Sequence, residues 1–233
     1  MCNHESHIIY SLLTFKAGST TWMGGIFPKF SKLESKFAGK EIDESKGLRS
    51  YLQHQVNVKN MKELTLILRK NPFAFTNVRH PFERLVSAYV DVVVKVNHHN
   101  WYPEMKNQPF DRFVKDVVLK EAEGSQNDKL FSKMNLHWRP FNSLCSFCNV
   151  KYNVISKMES FGEDKRHILE MLGEEEEEEE EEEEVKLGNV AENPTADLTR
   201  KYFRNLSPEL RLKLSELYKY DLQMFGYDKN FYY

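Results

Sequence analysis

Two short, unbroken apolar runs constrain this chain more tightly than any other feature of it. Residues 7–15 (HIIYSLLTF) and 73–78 (FAFTNV) do not alternate with polar residues, are rich in β-branched and aromatic side chains, and are too short for buried helices. Strands that are apolar on both faces need cover on both, as in parallel sheets flanked by helices. Each run passes through a few small or polar residues into a segment of helical spacing. Residues 16–21 (KAGSTT) precede a helix opening over 22–30. Arg79, His80 and Pro81 precede one over 82–96, where Leu85, Val86, Tyr89, Val92, Val93 and Val96 recur near the helical period. Residues 152–157 (YNVISK) read as a third strand, ahead of a short helix over 165–172. Further helices are expected over 48–69 (interrupted at 57–60), 110–120 and 207–225, and 121–128 reads as a polar connection. This alternation predicts an α/β fold with a mostly parallel central sheet flanked by helices.

The 233 residues suffice for one domain with a sizeable core, placed at residues 7–228. The formal net charge of −2 conceals an uneven distribution. Eleven consecutive glutamates occupy 174–184; without them 24 acidic residues face 33 basic ones, a net of +9. The stretch 174–199 is expected to be a disordered, low-complexity acidic insertion, or else a charged extension of the preceding helix. The basic remainder suits polyanions such as nucleotides or sulfated sugars, or else carries scattered solvated lysines. Nucleic acid is not an expected partner, because no reader motif accompanies the charge.

Of the three cysteines, Cys145 and Cys148 form a Cys-x-x-Cys pair without a second pair, so a four-thiolate zinc site within the chain is excluded and no metal is expected. The pair follows Trp138-Arg139-Pro140 in a loop-like stretch, which favours a disulfide or two reduced thiols over redox catalysis. No apolar run reaches the roughly eighteen residues of a membrane span, and residues 1–7 are too polar for a signal peptide. Asn205-Leu206-Ser207 is a glycosylation triplet, but Ser207 ahead of Pro208 and Glu209 reads equally well as a helix N-cap.

Two segments carry chemistry. In the first, Lys16, Ala17, Gly18, Ser19, Thr20 and Thr21 join a strand to a helix. Backbone N–H groups at such a junction cradle a phosphate, Gly18 permits close approach, and Lys16 adds charge. No Gly-Lys-Ser/Thr closes the loop, which argues against a nucleotide kinase. In the second, Arg79 stands where a strand ends, the place where open α/β sheets bind ligands, and Ser87 follows about two helical turns later. A guanidinium and a hydroxyl can converge there on one phosphate. Glu83 and Arg84, between them, read as surface ion-pairing residues.

Together these segments resemble the loops with which sulfotransferases bind 3′-phosphoadenosine-5′-phosphosulfate (PAPS). The wording Arg79-His80-Pro81-Phe82-Glu83-Arg84-Leu85-Val86-Ser87-Ala88-Tyr89 is similar to that of the Golgi carbohydrate sulfotransferases of the chondroitin, dermatan and HNK-1 type. So are His137-Trp138-Arg139-Pro140, Leu144-Cys145-Ser146-Phe147-Cys148, the block from Tyr152 to Glu159, and the stretch from Leu217 to Tyr227 (LYKYDLQMFGY). Phe15 departs from the family, which usually has proline there, and the glutamate run is foreign to it.

The resemblance implies a single P-loop-like α/β domain that moves a sulfuryl group from PAPS to a hydroxyl of a glycan. The expected acceptor is a glycosaminoglycan or another chain containing N-acetylgalactosamine. It implies that Lys16 binds the 5′-phosphosulfate and stabilises the leaving phosphate, helped by Ala17 to Thr21, and that Arg79 and Ser87 bind the 3′-phosphate. A general base is also needed. His54, which precedes the Arg79 strand, is preferred over His137, whose neighbours suggest a packed structural block, and Trp138 is expected in the core rather than as a sugar platform. The implied location is the lumenal side of the Golgi membrane, on an anchor lying outside this sequence. The rival reading is a catalytically impaired PAP- or glycan-binding relative.

Overall fold

The computed structural model describes residues 9–12, 17, 69, 73–95, 102–125, 131–144, 147, 150–171 and 194–232. Lys16, residues 18–21, His54, Cys145, Cys148 and the glutamates at 174–184 lie outside them. Among the described residues three strands, β1 (Ile9–Leu12), β2 (Phe73–Val78) and β3 (Val154–Lys157), form one sheet in the order β1-β2-β3. Both pairings are parallel, with Leu12 opposite Thr76 and Val78 opposite Lys157. This is the α/β arrangement that the uninterrupted apolar runs implied. Because the pairings are parallel, the strands run to the same edge, where β2 and β3 pass into helical turns. Residues 74–78 of β2 are all buried, as befits the middle strand.

The helix after β2, α1 (Pro81–Tyr89), is set up locally. Pro81 fits the first turn, where its missing N–H costs nothing. His80 is the N-cap: its Nδ1 accepts from the Phe82 amide at 3.2 Å. Its Nε2–H donates to the Asp228 carbonyl at 3.2 Å, which makes the ring the neutral tautomer. Burial lowers its pKa in the same direction. The helix continues with wider turns over Val90–Val94. A second helical stretch runs through α2 (Phe110–Phe113), wider turns over Val114–Leu119, and α3 (Lys120–Glu123). It therefore extends into the segment expected to be a polar connection.

After these come α4 (Phe141–Leu144), α5 (Phe161–Met171), α6 (Pro194–Arg204), α7 (Pro208–Leu217) and α8 (Lys219–Met224). The start of α6 corrects the acidic insertion: residues 194–199 are helical, and Ala196 and Thr199 are buried. Ser207 does cap α7, accepting from the Leu210 amide at 3.3 Å. The expected single C-terminal helix is two, because the chain breaks at Tyr218 (φ −100°, ψ 13°). There the phenol is fully inside and donates to the Trp138 carbonyl at 2.6 Å.

The main core packs α1, the 110–119 stretch and α6 through α8 around aromatic contacts, such as Phe82 stacked on Phe203 at 4.6 Å. No helix among the described residues is long and apolar enough to cross a membrane.

Candidate active site

The parallel register puts the ends of β2 and β3, and with them Arg79, at one edge of the sheet. Arg79 directly follows Val78, the last residue of β2. Ala17, one residue after Lys16, is fully buried in a small apolar cluster with Val78, Phe141 and Phe225. The loop predicted to cradle a phosphate thus has its second residue packed beside the residue preceding Arg79.

Arg79 is mostly buried, its side chain 12% exposed, and its Nε donates to Oε2 of Glu83 at 3.0 Å. Glu83 is itself 3% exposed and also accepts the hydroxyl of Tyr232. Ser87 stands half-buried two turns along α1.

A Schellman-type stop builds the wall beside Arg79. After α8, Gly226 adopts φ +66°, a conformation that costs glycine little, and the Tyr227 amide reaches back to the Leu222 carbonyl at 2.8 Å. The reversal lays the tail against the start of α1: the His80 ring lies 5.0 Å from Tyr227 and 4.8 Å from Tyr232. At the end of β3, Lys157 donates to the Phe225 carbonyl at 2.7 Å and sits 5.1 Å from the Tyr227 ring, whose hydroxyl donates to Glu159 at 3.1 Å. The Lys-x-Glu block and the C-terminal aromatic block are thus parts of one assembly.

His137 lies on an irregular segment. The Asn135 side-chain oxygen accepts from the His137 backbone N–H at 3.0 Å, which fixes the amide orientation. The same oxygen lies 2.8 Å from Nδ1 of His137, where it accepts an Nδ1–H, and in the neutral ring that leaves the lone pair on Nε2. A neutral imidazole of that tautomer is the form a general base requires. Asn135 is in turn held by Glu121, whose carboxylate accepts from the Asn135 amide at 3.0 Å, from Trp138 Nε1 at 2.9 Å and from Tyr102 at 2.7 Å. Trp138 is fully buried, edge-on to Phe113 at 5.1 Å, in the core as expected.

Arg84 and Glu83 correct the sequence reading: neither is a surface residue. Arg84 is 1% exposed, donates to the carbonyls of Leu136 and Arg139 at 2.6 Å each, and covers the Phe141 ring at 4.3 Å. It grips the His137 segment on both sides. Asp221 completes the clamp by accepting from the amides of Phe141 and Asn142 at 2.7 and 2.9 Å. Burial raises its pKa to about 6, against the pull of those amides and of Arg84. The local pattern did not signal either correction: in α1 Glu83, Arg84 and Ser87 gather on one side of an otherwise apolar helix, which reads as a solvated face.

The family model described as the sulfotransferase family matches residues 1–228. The chain belongs to the sulfotransferase family. Its curated relatives bear the narrower name that the motif wording suggested. It is 28% identical to carbohydrate sulfotransferase 11 of Mus musculus over 175 positions, covering 68% of this chain and 47% of the relative. With carbohydrate sulfotransferase 10 of Danio rerio it shares 28% over 251 positions, covering 97% and 65%. With carbohydrate sulfotransferase 8 of Mus musculus it shares 29% over 168 positions, covering 66% and 39%. The chain spans about half the length of the curated relatives it matches first. No solved structure matches it.

Proposed function

We propose that the chain is a PAPS-dependent carbohydrate sulfotransferase, with a glycosaminoglycan or another glycan containing N-acetylgalactosamine as acceptor, acting on the lumenal side of the Golgi membrane. The observation that supports this is that Ala17, next to Lys16 in sequence, shares a small buried cluster with Val78, the residue before Arg79 at one end of a parallel sheet. A nucleotide with phosphates at both its 5′ and 3′ positions needs two cationic groups so arranged. The relatives' shared name supplies the acceptor class.

The reaction forms a bond between the acceptor oxygen and sulfur while the bond from sulfur to the bridging phosphate oxygen breaks. The acceptor's proton passes to the base, and the electron pair of the broken bond stays on the departing PAP. Lys16 and the amides and hydroxyls of residues 17–21 stabilise the charge that develops there. Arg79 and Ser87 hold the 3′-phosphate and so fix the donor in line. His54 and His137 are the candidates for the base. For His137, an Nδ1–H donated to Asn135 would leave Nε2 as the basic nitrogen of the neutral ring.

The test is transfer of labelled sulfate from PAPS to a panel of glycosaminoglycan acceptors. Labelled product is expected with at least one, and Lys16→Ala should abolish it in a folded protein. PAP binding without transfer to any acceptor would favour the non-catalytic relative, and ATP hydrolysis a kinase.

A further inference from the structure

We propose that Glu83, pinned by Tyr232, is a positioning residue that aims Arg79 at the 3′-phosphate of the donor, so that the C-terminal tail helps to set selectivity for a 3′-phosphorylated nucleotide. This rests on the reading of Arg79 given above. Tyr232 lies beyond residue 228, where the family match ends, so the role is not one that the match confers.

The geometry is specific. A guanidinium is planar, and a contact at Nε fixes the plane in which its two terminal amino groups lie. Glu83 makes that contact with Oε2 at 3.0 Å. Arg79 stands just ahead of the N-cap His80, and Glu83 lies in the first turn of α1, which turns the two side chains toward each other. An exposed pair of this kind is worth little, but here both side chains are largely removed from water. The other carboxylate oxygen accepts from Tyr232, so Glu83 cannot swing away without losing that bond.

Tyr232 is held from three sides. It is 3% exposed, it meets the His80 ring edge-on, and Arg200 of α6 reaches toward it and its neighbour Phe231. Its phenol pKa is raised, first by burial and then by the bond to Glu83, which keeps the hydroxyl a donor.

Two roles for Glu83 predict opposite signs. As a mere counter-charge it weakens the field of Arg79, and neutralising it would tighten phosphate binding. As a positioning group it confers order, and removing it would weaken binding of the 3′-phosphate alone.

The probes are PAP and 5′-AMP, which differ by that phosphate, titrated calorimetrically into wild type, Arg79→Ala, Glu83→Gln and Tyr232→Phe. Wild type should prefer PAP, and Arg79→Ala should lose the preference. Glu83→Gln should lower the ratio of PAP to AMP affinity about tenfold, the size of one charge-assisted contact, with AMP affinity unchanged. Tyr232→Phe should lower the ratio about threefold, as expected for one neutral hydrogen bond. It removes a single oxygen and so carries the test should Glu83→Gln fail to fold. An unchanged ratio in Tyr232→Phe, or a raised one in Glu83→Gln, overturns the proposal while leaving Arg79 in place. A wild type without preference for PAP, or an Arg79→Ala that keeps it, overturns the donor reading and this inference with it.

Discussion

The segment 73–95 and the segment 131–144 both present candidate site residues, yet they are built in opposite ways. The first is a strand, a two-residue turn and a helix, with its own cap in His80 and its own proline start. The second contains a single four-residue helix and little other regular structure, and it is held in shape by Arg84, Glu121, Tyr218 and Asp221. A regular element satisfies its backbone internally. An irregular one that is buried has to borrow donors and acceptors from elsewhere. The contrast teaches that Arg79 rests on a locally built element, whereas the ground under His137 depends on residues dozens of positions away.

The largest effect should come from the shared residue, Arg84, which belongs to the first segment and holds the second. Arg84→Met leaves the Leu136 and Arg139 carbonyls without this donor and takes away a cation that acts on Asp221. About 3–5 kcal/mol of stability should be lost, measured by urea denaturation. A loss below about 1 kcal/mol would mean that the 131–144 segment holds itself, and the comparison would fail.

Next in size is the base. Loss of a general base should cost about a hundredfold or more in turnover while PAP affinity survives. His54→Ala and His137→Ala, assayed side by side in folded protein, decide which segment supplies it. A drop with His137→Ala assigns chemistry to the irregular segment. A drop with His54→Ala alone leaves that segment a scaffold. No drop in either points to a carboxylate.

A pH series sharpens the account of the clamp. Asp221 titrates near 6 in the fold against 3.8 for the ordinary group, so the folded chain binds that proton more tightly. Its contribution to stability is therefore fully present below pH 4 and is lost as pH rises through 6. Measured against Asp221→Asn, wild type should lose relative stability between pH 4 and 7. A relative gain over that interval would show that the Phe141 and Asn142 amides, with Arg84, outweigh burial.

The smallest effect expected is that of Arg79→Ala on stability. Its ion pair with Glu83 is one contact at the end of a helix that caps itself, so the denaturation midpoint should move by less than about 1 kcal/mol. PAP affinity should fall about 10- to 100-fold, the range of a charge-assisted contact. A large loss of stability would place Arg79 in the scaffold, alongside Arg84.

Much of the first segment was legible beforehand. The apolar run, the proline and the helical spacing over 82–96 are local signals, and the strand end at Val78 follows from them. Trp138 was also expected in the core rather than as a sugar platform, and it is fully buried there. The break at Tyr218 was not legible, since the pattern over 207–225 is compatible with one unbroken helix. At that residue the hydroxyl reaches the Trp138 carbonyl, eighty residues away in sequence, a contact no local pattern announces.

The sequence by itself determined the α/β class, the parallel strands, the Arg79-to-Ser87 motif and the family. These depend on periodicity and on short runs of residue types, which a linear reading preserves. Only the tertiary structure decided that Glu83 and Arg84 are interior, that Asp221 caps the helix after Pro140, and that the last residues fold back to hold the Arg79 pair. A charged side chain is solvated or buried according to what packs over it. That cover comes from the 131–144 segment over Arg84 and from the tail over Glu83, 52 to 149 residues further along the chain.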